Sequence, residues 1–187
     1  MALKNRAGRY GSVAKFFHWS IFLLFLYQFF GANLMTRLGP GQSAFGWDGN
    51  AWYNGHKSIG LVIALLALGR LVWRKATPLL RWHDSLTLVE RTISSRLETA
   101  LYVVMFALPI TGYLYVMSGG YGIDLFGRFE LPNPIGKREG WDTLARVAHV
   151  TVAYAALIAI AWHAGMMIRK HVFEGSGLMN RMLPFRR

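Results

Sequence analysis

The sequence predicts an all-α membrane protein, a four-transmembrane-helix bundle that forms a single domain over residues 1–187. Three observations support this fold class: 53% of the residues are hydrophobic, only 16% are charged, and the apolar residues are gathered into four long blocks. About a quarter of the residues of a soluble domain are charged. Long apolar blocks separated by polar connections are typical of membrane-spanning helices.

The four predicted spans cover about residues 16–35, 56–73, 100–117 and 144–168. Each has about 18–25 residues, enough to cross about 30 Å of hydrocarbon at about 1.5 Å per residue. Pro109 lies inside the third span, where membrane helices tolerate proline if neighbouring groups satisfy the freed carbonyl. The first block is longer than the apolar core of a signal peptide, so we expect an uncleaved helix.

The distribution of Lys and Arg predicts that both termini are cytoplasmic. Fifteen of the 21 basic residues lie before the first span, between Arg70 at the end of the second span and the start of the third, or in the tail at 169–187. Cytoplasmic flanks of membrane proteins carry such an excess. The segments at 37–55 and 118–143 are rich in Gly, Pro and Asn and are expected to be outer connections. A mixed polar and apolar stretch between Leu79 and Arg96 predicts a short helix on the inner surface.

Charge and cysteine content exclude several classes of function. The net charge of +12 could suggest a nucleic-acid partner, but the basic residues border apolar blocks, where they are better explained as topology signals. The sequence contains no cysteine. This excludes disulfides, cysteine-ligated iron–sulfur clusters and covalently attached c-type haem.

Four of the six histidines lie in or at the ends of the predicted spans: His18, His56, His149 and His163. An ionisable residue in a membrane span is a functional hypothesis by default, although each one alone could be a satisfied polar residue. His149 and His163 are separated by about four helical turns, which places them on nearly the same face and about 21 Å apart along the axis. Chain direction then pairs His18 with His163 at the inner side, and His56 with His149 at the outer side.

Two histidine pairs at two depths predict two haem b groups, each with its iron held by imidazoles from facing helices. Iron with both axial positions filled suits electron transfer and has no site open to oxygen or substrate. Zinc sites, carboxylate iron sites and proton relays would need acidic residues inside the spans, and the predicted spans contain none. His83 and His171 are expected at the inner surface, either solvated or beside a quinone or a haem propionate.

Five further residues are candidates for cofactor binding: Lys57, Gly60, Arg70, Arg74 and Arg146. Gly60 follows the outer histidine of the second span by one turn and could leave room for a flat macrocycle. Lys57 and Arg146 lie near the outer pair, where they either attract a small anion or bind haem propionates. Arg70 and Arg74 present the same alternatives at the inner side. No residue is predicted to be catalytic.

Short motifs follow one another along the chain in a specific order. They are Arg9-Tyr10-Gly11, Phe17-His18-Trp19, His56-Lys57-Ser58-Ile59-Gly60, Gly69-Arg70-Leu71-Val72-Trp73-Arg74, Ala107-Leu108-Pro109-Ile110-Thr111-Gly112, the histidines at 149, 163 and 171, and Arg181-Met182-Leu183-Pro184. This ordered set resembles the bacterial cytochrome b561 family, the di-haem membrane proteins related to the cytochrome b subunits of nickel–iron hydrogenases. The resemblance implies haem ligation by the same four histidines. The third span has no histidine, where some members carry extra ones, and this leaves the ligand set intact.

The resemblance implies a multi-pass electron carrier of a bacterial inner membrane, with two haem b groups and with ubiquinone as electron acceptor or donor. Some members oxidise superoxide at the outer face and reduce ubiquinone, which makes a superoxide oxidase one candidate function. Others receive electrons from a dehydrogenase or a soluble redox protein, so a cytochrome b membrane anchor is the alternative. A channel or transporter is a third class of function, and it would be supported only if the purified protein contained no haem.

Overall fold

The computed structural model describes residues 2–183 and consists mainly of four long helices. They are α1 (Ser12–Arg37), α2 (Gly49–Ala76), α3 (Leu88–Ser118) and α4 (Trp141–Ile168). Each helix contains one of the predicted spans, so the prediction of an all-α chain with four long helices is confirmed. Pro184, which belongs to the last sequence motif, and Arg186 and Arg187 of the basic tail lie outside the described residues.

Three helices are long and apolar enough to cross a membrane within the described range. They are α1, α3 and the stretch that begins with α4 and continues to Phe173. The second predicted span lies in α2, a helix of 28 residues that is long enough but more polar, since it contains His56, Lys57, Arg70 and Arg74. A crossing by α2 therefore stays a prediction.

The hydrophobic core lies where α1, α2 and α3 meet. Its buried side chains are Ile21 and Phe25 from α1, Ile63 and Ala67 from α2, and Met105 from α3. Helix α4 packs mainly against α3. Most of the large apolar side chains of α4 remain exposed, as expected of a helix that faces lipid.

Two short β-hairpins lie in the predicted outer connections. The first pairs β1 (Ser43–Ala44) with β2 (Trp47–Asp48), and the second pairs β3 (Ile123–Leu125) with β4 (Phe129–Leu131). Asp48 ends the first hairpin and caps α2, because its side chain accepts a hydrogen bond of 2.7 Å from the backbone N–H of Ala51. Strand β3 packs against α2. The hairpins therefore cover the end of the bundle where α2 and α4 begin.

The prediction of a separate surface helix between Leu79 and Arg96 is wrong. Residues 77–87 contain no helix or strand, and α3 begins at Leu88 and continues for 31 residues. Thr87 and Glu90 form a capping box, in which the Glu90 carboxylate accepts from the Thr87 N–H at 2.9 Å and the Thr87 hydroxyl accepts from the Glu90 N–H at 3.3 Å. The cap starts one continuous helix that joins the polar stretch to the third apolar block.

The two ends of the described chain meet at the opposite end of the bundle. The Tyr10 N–H donates to the carbonyl of Arg181 at 3.1 Å. The Lys15 ammonium donates to the carbonyl of Leu183 at 2.8 Å. The amino-terminal and carboxyl-terminal segments therefore lie on the same side of the helices, close to the start of α1.

A buried lysine ties three segments together at this same end. Helix α4 continues into a π-helical turn, Arg169–Phe173, in which Lys170 is buried. The Lys170 ammonium lies 2.8 Å from a carboxylate oxygen of Glu90 and 2.7 Å from one of Glu174, and it donates to the Ser85 carbonyl at 3.1 Å. The hydrogen bond from Lys170 lowers the pKa of the Glu174 carboxyl below its ordinary value of 4.5.

We expect Lys170→Met to lower the thermal unfolding midpoint by several degrees, because it leaves two carboxylates beside each other without their buried cation. Arg169→Met is the matched control: Arg169 contacts the same two carboxylates, but its side chain is 64% exposed and should contribute little. The pKa of Glu174 is lowered in the folded protein, so its ionised carboxylate stabilises the fold. This stabilisation is complete above pH 4.5 and is lost as the pH falls further. A destabilisation by Lys170→Met that did not shrink on acidification would contradict this assignment.

Candidate functional site

The structure brings the four histidines of the helices together in two pairs. The ring centres of His18 in α1 and His163 in α4 lie 6.2 Å apart, with the ring planes at 59°. The ring centres of His56 in α2 and His149 in α4 also lie 6.2 Å apart, with the planes at 82°. These are the two pairings that chain direction predicts, one near each end of α4.

The spacing within each pair suits two imidazoles on opposite sides of one metal ion. An imidazole nitrogen binds a transition metal at about 2 Å and the ring centre lies about 1 Å behind it, so two such rings have centres about 6 Å apart. Among residues 2–183, no group of three or more His, Cys, Asp or Glu side chains could hold a metal ion. Two imidazoles per site match a haem iron, whose porphyrin supplies four further nitrogens. The donor set therefore fits haem b, and the axial role of each histidine stays a prediction.

Helix α3 holds the ring of His149 in place. The Nδ1 atom of His149 lies 3.0 Å from the carbonyl oxygen of Leu108 and 3.1 Å from the hydroxyl of Thr111. A carbonyl only accepts hydrogen bonds, so Nδ1 carries the proton and Nε2 keeps the lone pair that can bind a metal. At Gly112, a Cβ atom would lie 3.0 Å from the His149 ring. Residues of the motif at 107–112 therefore contact and orient this imidazole, a role that the sequence did not indicate.

His56 has different surroundings from its partner. The Gln28 side-chain amide donates to the His56 carbonyl at 2.9 Å. The same amide nitrogen lies 3.3 Å from where a Cβ of Gly60 would be, so Gly60 makes room for Gln28. That Gly60 also leaves room for a porphyrin stays a prediction. The His56 Nδ1 and Gln28 Oε1 atoms are buried and have no hydrogen-bond partner within the described part of the chain.

The predicted basic residues near the outer pair differ in what they contact. The Lys57 ammonium donates to the carbonyl of Gly122 at 3.0 Å, and the adjacent buried Ser58 hydroxyl accepts from the Phe126 N–H at 2.8 Å. Both residues therefore fasten the β3–β4 hairpin to α2. Arg146 is exposed and lies one turn before His149 on α4.

The predicted basic residues near the inner pair lie around one aromatic ring. The guanidinium groups of Arg70 and Arg74 each lie 5.5 Å from the ring centre of Tyr102. Arg74 also forms a bidentate ion pair with Glu98, whereas Arg70 interacts electrostatically with both inner histidines. Arg70 is therefore the better placed of the two to bind an anionic group of a cofactor. The sequence analysis missed Glu98 and Tyr102, since no spacing links them to α2.

The remaining two histidines lie outside both pairs. His83 follows α2 in the connection to α3, where its Nδ1 atom lies 2.9 Å from the Ser85 hydroxyl. His171 lies in the π-helical turn after α4, and its buried Nδ1 atom has no hydrogen-bond partner among the residues described.

Comparisons with known proteins identify the family of this chain. Residues 9–185 match the family model of prokaryotic cytochrome b561. The curated protein named cytochrome b561 homolog 2, from Escherichia coli (strain K12), is 28% identical over an alignment of 188 positions, which covers 98% of this chain and 95% of the relative. The family match includes all four long helices and both histidine pairs. The chain therefore belongs to the prokaryotic cytochrome b561 family, and it is a membrane electron carrier of the haem b type.

Proposed function

We propose that the chain carries two haem b groups and exchanges electrons with a membrane quinone, with ubiquinone as the expected species. The observation that supports this proposal is the pairing of four histidines into two sites, each with ring centres 6.2 Å apart. His56 and His149 would hold one haem, and His18 and His163 the other. Bound haem b supplies a one-electron iron centre with both axial positions filled by imidazole.

The residues of the chain position these ligands and set the distance between the sites. Helix α4 contributes one histidine to each pair, and the intervening helix is about 21 Å long. The Leu108 carbonyl orients His149 by accepting its Nδ1–H. The apolar side chains around Phe25 and Met105 keep water from the space between the helices.

A quinone is expected at the His18/His163 end. Two buried polar atoms near this end, Nε1 of Trp73 and Nδ1 of His171, have no hydrogen-bond partner in the range that the structure describes. Quinone carbonyls accept hydrogen bonds, so the unpaired N–H of Trp73 favours their binding, and His171 can add a second donor when its Nδ1 carries the proton. At the other end, the exposed Arg146 attracts anions toward the His56/His149 pair, which favours superoxide as the electron donor.

The proposed topology has four crossings, with both termini in the cytoplasm and the protein in a bacterial inner membrane. Contact between Tyr10 and Arg181 supports an even number of crossings, because it places both chain ends on one side. The excess of Lys and Arg in the segments on that side supports a cytoplasmic location for them.

We expect the purified protein to contain two haems per chain, and His149→Ala and His163→Ala each to lose one of them. The measurements are a reduced-minus-oxidised spectrum and the haem-to-protein ratio. His83→Ala is the matched control, since His83 lies outside both pairs, and it should retain both haems. Unchanged spectra and stoichiometry in either of the first two variants would show that the pairing does not bind haem.

We expect Gly112→Ala to shift the midpoint potential of one haem and to leave the other unchanged. The new methyl group would lie 3.0 Å from the His149 ring, so the imidazole must move by a few tenths of an ångström. Gly165→Ala on α4 is the control, because a Cβ there meets no atom within 4 Å. A redox titration followed at the haem absorption band gives both potentials. Equal shifts in the two variants would rule out a specific role for Gly112.

We expect superoxide to reduce the purified protein and added ubiquinone to reoxidise it, with a superoxide rate that falls as ionic strength rises. Arg146→Gln should slow the reduction severalfold, because it removes a cation near the site of electron entry. Arg96→Gln removes an exposed arginine near the other end and should have little effect. A protein inert to superoxide that co-purifies with a soluble redox subunit would instead support the membrane-anchor alternative.

A further inference from the structure

A cavity of about 660 Å³ at the His18/His163 end of the molecule lies apart from the histidine pairs. Three segments distant in the sequence line it: residues 5–9, 78–84 and 177–181. We propose that this cavity binds the phosphate group of an anionic phospholipid from the adjacent membrane leaflet.

The charge of the cavity wall favours an anion. Four arginines line the cavity: Arg6, Arg9, Arg81 and Arg181. Asp84 is the single carboxylate among the lining residues. Arginine presents a planar fork of N–H donors that matches two phosphate oxygens, which makes it the preferred side chain for phosphate recognition.

A tight turn brings two of these cations together. The Arg6 N–H donates to the Arg9 carbonyl at 3.0 Å, and the Arg9 N–H donates to the Arg6 carbonyl at 3.1 Å. Gly8 allows the turn because its φ is +78°, a conformation that other residues rarely adopt. The turn places both Arg6 and Arg9 in the wall of the cavity.

Hydrogen bonds to backbone carbonyls hold the three segments in position. The Asn5 side-chain amide donates to the Pro78 carbonyl at 2.9 Å. The Arg181 guanidinium donates to the carbonyl of Gly8 at 3.1 Å and to that of Arg81 at 2.8 Å. The wall is therefore largely formed before a ligand binds, which reduces the entropy lost on binding.

His83 adds an uncharged donor to the wall. The Ser85 backbone N–H donates to the Nδ1 atom of His83 at 3.3 Å. Because Nδ1 accepts this bond, the proton of the neutral ring is on Nε2. Since His83 lines the cavity, this N–H is a candidate donor to a phosphate oxygen.

Apolar side chains beside the arginines favour a lipid over free phosphate. Leu79 and Trp82 line the cavity and are 60% and 44% exposed. Tryptophan is enriched at membrane interfaces, and basic pockets on the cytoplasmic side of membrane proteins bind anionic lipid headgroups. A phospholipid would contact both the charged and the apolar part of this wall, whereas free phosphate would contact the charged part alone.

The test uses the full chain in a neutral detergent, titrated separately with phosphatidylglycerol, phosphatidylcholine and inorganic phosphate. Native mass spectrometry counts the bound lipids, and the thermal unfolding midpoint reports stabilisation. We expect phosphatidylglycerol to bind and to raise the midpoint, and the other two ligands to have much smaller effects. Arg6→Gln/Arg81→Gln should bind phosphatidylglycerol about 30-fold more weakly, which corresponds to about 1 kcal/mol per arginine.

The matched control is Arg37→Gln/Arg128→Gln, which removes two exposed arginines at the opposite end of the bundle. It should bind phosphatidylglycerol as the unmodified chain does. Equal affinities in the two double variants would overturn the proposal, and stabilisation by inorganic phosphate alone would overturn its assignment to a lipid. A wild-type haem spectrum confirms that each variant folds. If the first double variant lacks that spectrum, Arg6→Gln alone replaces it, with an expected loss of about fivefold.

Discussion

The pairing of imidazole rings across the bundle constrains the rest of this structure. A polar ring in an apolar membrane interior is unfavourable unless its nitrogens find partners, so four such rings restrict how the helices pack. Helix α4 supplies one ring to each pair, and α1 and α2 each supply the opposing ring. Helix α3 supplies no histidine, yet it packs along α4 and offers the Leu108 carbonyl to His149. Its contribution is to fix the orientation of His149 on the helix that carries one histidine of each pair.

The two histidine pairs have different electrostatic surroundings. At the His56/His149 pair, the groups within hydrogen-bond distance of the two residues are uncharged: the Leu108 carbonyl, the Thr111 hydroxyl and the Gln28 amide. At the His18/His163 pair, the cation of Arg70 is close, while the charge of Arg74 is balanced by Glu98. Nearby charges and hydrogen bonds to the ligands set the potential of a haem site. A difference in potential between the pairs would give electron transfer along α4 a preferred direction.

The two ends of the bundle are stabilised by different kinds of structure. At the His56/His149 end, a hairpin is fastened to α2 by Lys57 and Ser58. At the His18/His163 end, the chain termini and the π-helical turn are joined by hydrogen bonds and by the buried ammonium of Lys170. The His18/His163 end of the bundle carries more cationic than anionic side chains. Such a surface suits contact with an anionic leaflet, as the arginine-lined cavity also indicates.

The four helices and the pairing of the histidines could be predicted from the amino-acid pattern, because the helical repeat and the alternating direction of successive helices constrain both. The apolar runs show which segments are long enough to span a membrane as helices. The helical repeat places His149 and His163 on one face of α4. The mixed polarity after Leu79 obscured the single helix that the capping box of Thr87 and Glu90 starts. The ion pair of Arg74 with Glu98 and the hydrogen bond from His149 to Leu108 could be found only in the folded chain. The acceptor at Leu108 is a backbone carbonyl, which every residue has, so which of them meets an imidazole depends on how α3 and α4 pack.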